Sequence, residues 1–252
     1  MRDLILDAAE IIRTSKYVTA LTGAGVSVES GIRPFRGPEG LWVEKGEPPL
    51  DGYQKFISDP KKYWENAFNG VLGQGLKIGE AKPNDGHYAF AELERMGIIR
   101  CLITQNIDSL HSTAGSKKLL EIHGNAFKLR CLDCASRFPR EDIDLIILPP
   151  RCPKCGGLLK GDTVMFGEPI PAYILQRCQE ETNRSDCMID AGTSAVVYLA
   201  AGLPLTLKRR GGKIIEVNPL ETDLTDISDV SIRAKSGVVI PALVETLRKF
   251  NL

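Results

Sequence analysis

The 252-residue chain has no excess of either charge: Lys and Arg number 32, and so do Asp and Glu. A protein that grips duplex nucleic acid by bulk positive charge is therefore not expected, although a local basic patch is compatible with this balance. No run approaches the ~18 consecutive apolar residues of a membrane-spanning helix. The opening residues MRDLILDAAEIIRTSK interleave Asp3, Asp7 and Glu10 with their apolar positions and do not read as a secretory leader. Seven cysteines do not form an even disulfide set. With no export signal, the expectation is thiolate chemistry in a reducing compartment, the cytoplasm. Internal repeats and low-complexity tracts are also missing. What is present is an apolar content of 43%, enough for a sizeable core, in a length that suits one large domain or one with a smaller companion.

Leu4, Ile5, Ala8, Ile11 and Ile12 fall at helical spacing. The apolar run Tyr17–Leu21 then ends in Gly23-Ala24-Gly25, a strand closed by a glycine turn. Similar runs at Ile98–Thr104, Cys187–Ala191 and Lys213–Val217 end in Gln105-Asn106, Gly192-Thr193-Ser194 and Asn218-Pro219. Helical patterns lie between and after them, at His87–Met96 and Val238–Phe250. Alternating strands and helices predict a parallel α/β sheet with crossover helices, whose ligand lies beyond the carboxyl ends of the strands. The polar strand ends would then converge on one crevice. Two stretches break the rhythm, about 43–81, with a predicted helix over Lys61–Phe68, and about 127–162; both read as insertions that build a second, smaller lobe.

Cys131-x-x-Cys134 and Cys152-x-x-Cys155, seventeen residues apart, have the spacing of a four-thiolate zinc site. Four protein sulfurs leave no open position, so the zinc is expected to be structural, a staple for a lobe too small to hold its own core. The stretch lacks the interleaved aromatics of a base-stacking face. Cys101 and Cys187 lie in apolar runs and read as core packing. The Gly23-Ala24-Gly25-Val26-Ser27-Val28 turn is similar to a dinucleotide phosphate loop, but Val28 stands at the third glycine position. Where a dehydrogenase would continue through a helix to an acid-tipped strand, this chain has Gly37–Trp42, read as a loop, so ordinary hydride transfer is disfavoured.

In order, Gly23–Ser27, Ser30-Gly31-Ile32, Phe35-Arg36-Gly37, Thr104–Asp108, His123-Gly124, the four cysteines, Phe166-Gly167-Glu168, Gly192-Thr193-Ser194 and Val217-Asn218-Pro219 resemble the motifs of the sirtuins, most closely the compact archaeal and bacterial members. The resemblance spans about 9–244. It implies a Rossmann-like domain (1–42, 81–126 and 163–252) and a small lobe (43–80 and 127–162) made of a helical insertion and a zinc ribbon. It also implies an NAD-dependent protein lysine deacetylase that transfers the acetyl group to ADP-ribose and releases nicotinamide.

On that resemblance, Gly23, Ala24, Gly25 and Ser27 hold the NAD pyrophosphate at a helix start. Gly192, Thr193, Ser194, Asn218, Pro219 and Ser236 hold the adenosine half. Gln105, Asn106, Ile107 and Asp108 shape the nicotinamide pocket, Phe35 shields the ribose, and Arg36 holds a phosphate or ribose oxygen. Taken alone, Asp108 reads equally as a helix cap. A lone histidine between an apolar run and a glycine is more often a packing or capping residue; the resemblance makes His123 the base that takes a proton from the ribose hydroxyls. His87 and His111 are expected to pack. An acetylated protein or peptide would add as an extended strand against Val164, Phe166, Gly167 and Glu168. Members that take acidic acyl groups carry a Tyr-x-x-Arg pair; Phe68 and Val71 stand there in this chain, so neutral short acyl groups are expected. Arg33 before Pro34, Met165, Leu199 and Ser236 depart from the usual pattern. An ADP-ribosyltransferase using the same pocket and an NAD-sensing module without turnover are the competing readings.

Overall fold

A computed structural model describes residues 1–37, 40–68, 78–197 and 199–250. Its strands are β1 (Val18–Thr22), β2 (Ile99–Thr104), β3 (Leu119–Glu121), β4 (Lys128–Cys131), β5 (Arg137–Pro139), β6 (Leu159–Gly161), β7 (Cys187–Ala191), β8 (Lys213–Val217) and β9 (Val230–Ile232). Its α-helices are α1 (Arg2–Thr14), α2 (Leu41–Lys45), α3 (Gly52–Ser58), α4 (Pro60–Phe68), α5 (Asp85–Arg95), α6 (Leu110–Thr113), α7 (Ala172–Arg184), α8 (Gly202–Arg209) and α9 (Ser236–Lys249). Among the described residues no helix is long and apolar enough to cross a membrane.

Six strands form a parallel sheet in the order β3-β2-β1-β7-β8-β9. Every residue of β1 and β7 is buried, as the centre of a sheet covered on both faces requires. Strand alternation sends Val18 and Ala20 to one face, where α1, α5 and α9 deliver Ile5, Ala8, Phe90, Leu93, Ile240 and Leu243. It sends Leu21 to the other, against Ile174 and Cys178 of α7 and Leu203 and Leu207 of α8. Each expected strand and helix appears within two residues of its predicted bounds, and Gly37–Trp42, read as a loop, closes instead into α2 at Leu41.

From β1 the chain first builds outward on one side, through β2 and β3, and later on the other, through β7, β8 and β9. The reversal lies between β1 and β7, the topological switch point where parallel sheets open a crevice. The ladder is in register at its carboxyl end: Thr22 faces Thr104 and Ala191, Ala191 faces Val217, and Val217 faces Ile232. Gly23, Gln105, Gly192 and Asn218 therefore leave the sheet along one rim.

A second, antiparallel sheet, β5-β4-β6, has its own apolar cluster of Phe56, Trp64, Leu129 and Leu159, so α3 and α4 pack on the cysteine module. Trp64 donates its indole N–H to the Leu159 carbonyl at 3.2 Å. Among the described residues, α3 and α4 and the antiparallel sheet thus share one apolar cluster apart from the two that flank the parallel sheet.

Candidate active site

At the switch point the turns after β1 and β7 meet backbone to backbone. Gly25 donates its N–H to the Gly192 carbonyl at 2.8 Å, and a Cβ on Gly25 would stand 2.7 Å from Gly192 Cα. Gly192 has φ +62°. Glycine at both places lets the loops interlock, which the sequence pattern presented only as a phosphate loop. Ala24–Ser30 then forms a 3₁₀ helix.

Ser27 is buried. Its hydroxyl donates to Asp108 Oδ2 at 2.7 Å and accepts from Asn106 Nδ2 at 3.0 Å. Asn106 Nδ2 also donates to the Gly23 carbonyl at 3.1 Å. Asp108 Oδ1 accepts the Leu110 N–H at 2.9 Å in an Asx turn just ahead of α6, so its carboxylate shapes that turn as well as holding Ser27. Burial raises the Asp108 pKa against these bonds. Gln105 Nε2 donates to Thr193 Oγ1 at 2.9 Å, and Asn218 Nδ2 to the Thr193 carbonyl at 2.9 Å. One hydrogen-bonded rim therefore joins Gly23, Ser27, Gln105, Asn106, Asp108, Thr193 and Asn218. Ser236 opens α9 and is buried; its neighbour Gly237 donates its N–H to Glu29 Oε2 at 2.9 Å.

His123 follows β3, and its half-buried ring has Nδ1 3.2 Å from the Gln105 carbonyl. A carbonyl only accepts, so Nδ1 carries the proton and the lone pair of the neutral ring lies on Nε2. Burial pulls the pKa below the ordinary imidazole value and outweighs the opposing hydrogen bond, which favours the neutral ring. Gly124 has φ +78°, and a Cβ there would fall on the Asp162 carbonyl, which explains the His-Gly pair physically. The Val164 N–H donates to the His123 carbonyl at 2.9 Å and lays 164–168 beside the histidine.

His87 and His111 are buried, as expected. His87 accepts the Asn84 N–H in the capping box of α5, and burial pushes its pKa down to about 4. His111 Nε2 lies 3.0 Å from Thr22 Oγ1.

Two expected ligand residues are engaged within the chain. Arg36 pairs with Glu47 at 3.0 Å and lies over the Trp42 ring at 4.6 Å. Glu168 accepts from Arg130, from Lys160 Nζ at 2.9 Å and from the Met165 N–H at 2.8 Å. Its carboxylate fixes the 164–168 loop on the small lobe. This buried network, with Asp162, Arg137 and Glu121, went unnoticed in the sequence. Phe166 is exposed and meets Trp42 edge-on. The Phe68 side chain and Val71 lie outside the described residues.

The four sulfurs of Cys131, Cys134, Cys152 and Cys155 lie within 4.8 Å of one another. Cys131 and Cys155 are 3.5 Å apart, and Cys134 and Cys152 3.7 Å. A tetrahedron with Zn–S near 2.3 Å has edges of about 3.8 Å, so the cluster suits one zinc ion with all positions filled by protein.

The profile of the Sir2 family matches residues 23–199. The chain belongs to the Sir2 family. This Sir2-family chain is 49% identical over 94% of its length to "NAD-dependent protein deacylase 1" of Archaeoglobus fulgidus, covering 96% of that protein. It is 42% identical to "NAD-dependent protein deacetylase" of Sulfurisphaera tokodaii, covering 96% of each chain. A solved Sir2 homologue–NAD complex matches with TM-score 0.79 at 47% identity, over 97% of this chain and 94% of that one. A Sir2 complex with deacetylated p53 peptide and 3'-O-acetyl ADP-ribose matches with TM-score 0.79 at 35% identity, over 96% and 97%.

Proposed function

We propose that this Sir2-family chain is an NAD-dependent protein lysine deacetylase that transfers an acetyl group from lysine to ADP-ribose and releases nicotinamide. The observation that carries the mechanism is the placement of His123 Nδ1 3.2 Å from the Gln105 carbonyl, which ties up the Nδ1 proton and leaves the Nε2 lone pair to accept one, while burial favours the neutral ring. NAD supplies an electrophilic ribose carbon and the ADP-ribose that takes the acetyl group.

The chain's own residues do the rest. The loop of Gly23, Ala24, Gly25 and Ser27 offers backbone amides to the pyrophosphate. Gln105, Asn106 and Asp108, fixed by the rim bonds, shape the nicotinamide pocket together with Ile107. Gly192, Thr193, Ser194, Asn218, Pro219 and Ser236 receive the adenosine half beyond the switch point, and Phe35 covers the sugar. Arg36 leaves Glu47 to reach an anionic oxygen. The peptide lies along Val164, Phe166 and Gly167, whose course Glu168 sets, and adds to the site as an extended strand. His123 Nε2 takes the proton of a ribose hydroxyl; burial between the lobes excludes competing water, and one water is consumed to free the lysine amine and leave O-acetyl-ADP-ribose.

The lobes divide at 1–42, 81–126 and 163–252 against 43–80 and 127–162, following the separate apolar cluster of the small lobe. Neutral short acyl groups are preferred, since Phe68 and Val71 offer no cation to a succinyl carboxylate. The chain works in the cytoplasm, consistent with seven cysteines free of disulfides. Incubation with acetylated peptide and labelled NAD, read by mass spectrometry, tests the reaction. Free O-acetyl-ADP-ribose with equal deacetylated peptide is expected; an ADP-ribosylated protein without it would make the chain a transferase. Desuccinylation as fast as deacetylation would overturn the acyl preference.

A further inference from the structure

We propose that Trp42, wedged between Phe35 of the cofactor loop and Phe166 of the peptide loop, is a positioning residue that makes the binding of the ADP-ribose moiety and of the acyl peptide mutually reinforcing. The inference rests on the deacetylase reading, which assigns the two loops their ligands.

Trp42 is tied to the cofactor side through backbone and side chain alike. Leu41 donates its N–H to the Pro34 carbonyl at 2.8 Å, and Trp42 donates to the Phe35 carbonyl at 3.0 Å. The Phe35 and Trp42 rings lie 5.1 Å apart at 36°, and the Arg36 guanidinium sits 4.6 Å over the indole. The ion pair Arg33–Glu44 at 2.6 Å straps the same loop to α2. Displacing Phe35 therefore moves Trp42.

On the other side the indole meets Phe166 edge-on, 5.6 Å between centroids at 61°. The backbone beneath Phe166 is fixed by the small lobe, because Tyr53 donates its N–H to the Phe166 carbonyl at 3.0 Å. Phe166 is 39% exposed. With its backbone anchored and its ring open to solvent, Phe166 depends on Trp42 for orientation.

A ligand that settles Phe35 settles Trp42 and, through it, Phe166. The peptide then meets a ring already ordered and loses less freedom on binding. By linkage, peptide must tighten ADP-ribose by the same factor. An aromatic pair of this geometry shifts an equilibrium by about 2- to 12-fold beyond its buried area, which bounds what one ring contact can transmit.

The test measures binding of an acetyl-lysine peptide by calorimetry with and without saturating ADP-ribose, which lacks nicotinamide and allows no turnover. In the wild type, ADP-ribose is expected to tighten the peptide about 5-fold or more, and peptide to tighten ADP-ribose equally. In Trp42→Leu the factor is expected to fall below about 2, and Trp42→Phe should restore most of it. A purely structural Trp42 would shift the thermal midpoint and both affinities but leave the factor intact. Should Trp42→Leu not fold, Phe166→Leu cuts the other end of the same contact and carries the same expectation. A wild-type factor of one, or an unchanged factor in these variants, overturns the inference while leaving the deacetylase reading standing. A wild type that binds neither ADP-ribose nor peptide refutes that reading and the inference with it.

Discussion

Replacing Asp190 by asparagine should stabilise the protein, and by more as the pH rises. Asp190 lies in β7, paired in register with Leu21 and Glu216, and is 2% exposed. Its Oδ2 has no hydrogen-bond partner. Burial, with the Glu216 carboxylate as a second cause, raises its pKa well above the ordinary range. The folded group therefore stays protonated where the unfolded one, with a pKa near 3.9, ionises. With the folded value raised, stability is greatest below the unfolded pKa and is lost as pH climbs towards the folded one. The slope is about 1.4 kcal/mol per pH unit. Asparagine has nearly the same shape and does not ionise, so Asp190→Asn should match the wild type near pH 4 and gain about 1.4 kcal/mol for each unit above it, until the native carboxyl ionises. At roughly 2–4 °C per kcal/mol for a chain of this size, thermal midpoints would separate visibly by about pH 6. Denaturant unfolding of both proteins at about pH 5, 6 and 7 gives the difference directly. A gap that does not change with pH would refute the reasoning, since it would mean that Asp190 is ionised and compensated in the native protein.

Lys160→Met should be strongly destabilising. Lys160 is fully buried, and removing it takes one of two cations from Glu168 and the donor from the Gly161 and Thr163 carbonyls, at a cost near the lower end of about 3–5 kcal/mol, seen as a thermal midpoint lower by roughly 10 °C. Stripping zinc with a chelator should release one ion per chain, measured with a colorimetric dye, and unfold the small sheet as seen by hydrogen exchange across β4, β5 and β6. The acid limb of kcat/KM should have its midpoint below about 6.5, because His123 must be neutral to accept a proton and burial lowers its pKa; a midpoint above that value would contradict the assignment.

The parallel sheet was legible because its central strands are mostly apolar and end in short polar turns, as β1, β7 and β8 do. The zinc site was legible because sulfur geometry imposes a local spacing. The roles of Glu168, Lys160 and Arg130 were not, because their pairing depends on a lobe that folds back over dozens of residues; in the sequence Lys160 looks like an ordinary surface lysine. Asp108 read equally as cap or ligand, and the structure uses both its oxygens within the chain. The interlocking of Gly25 with Gly192 gives the glycine turn a packing reason that its pattern alone does not reveal. Asp190 carried no sequence signal, since nothing local tells a strand acid with a partner from one without.

In the proposed reaction the lone pair of a neutral His123 imidazole takes the ribose proton. The direct measurement is single-turnover nicotinamide release and deacetylation by wild type and His123→Ala with saturating acetyl-peptide and NAD. The wild type should convert the peptide, and His123→Ala should form deacetylated peptide at least about 10²-fold more slowly while still binding ADP-ribose. Deacetylation by His123→Ala at the wild-type rate would contradict the account.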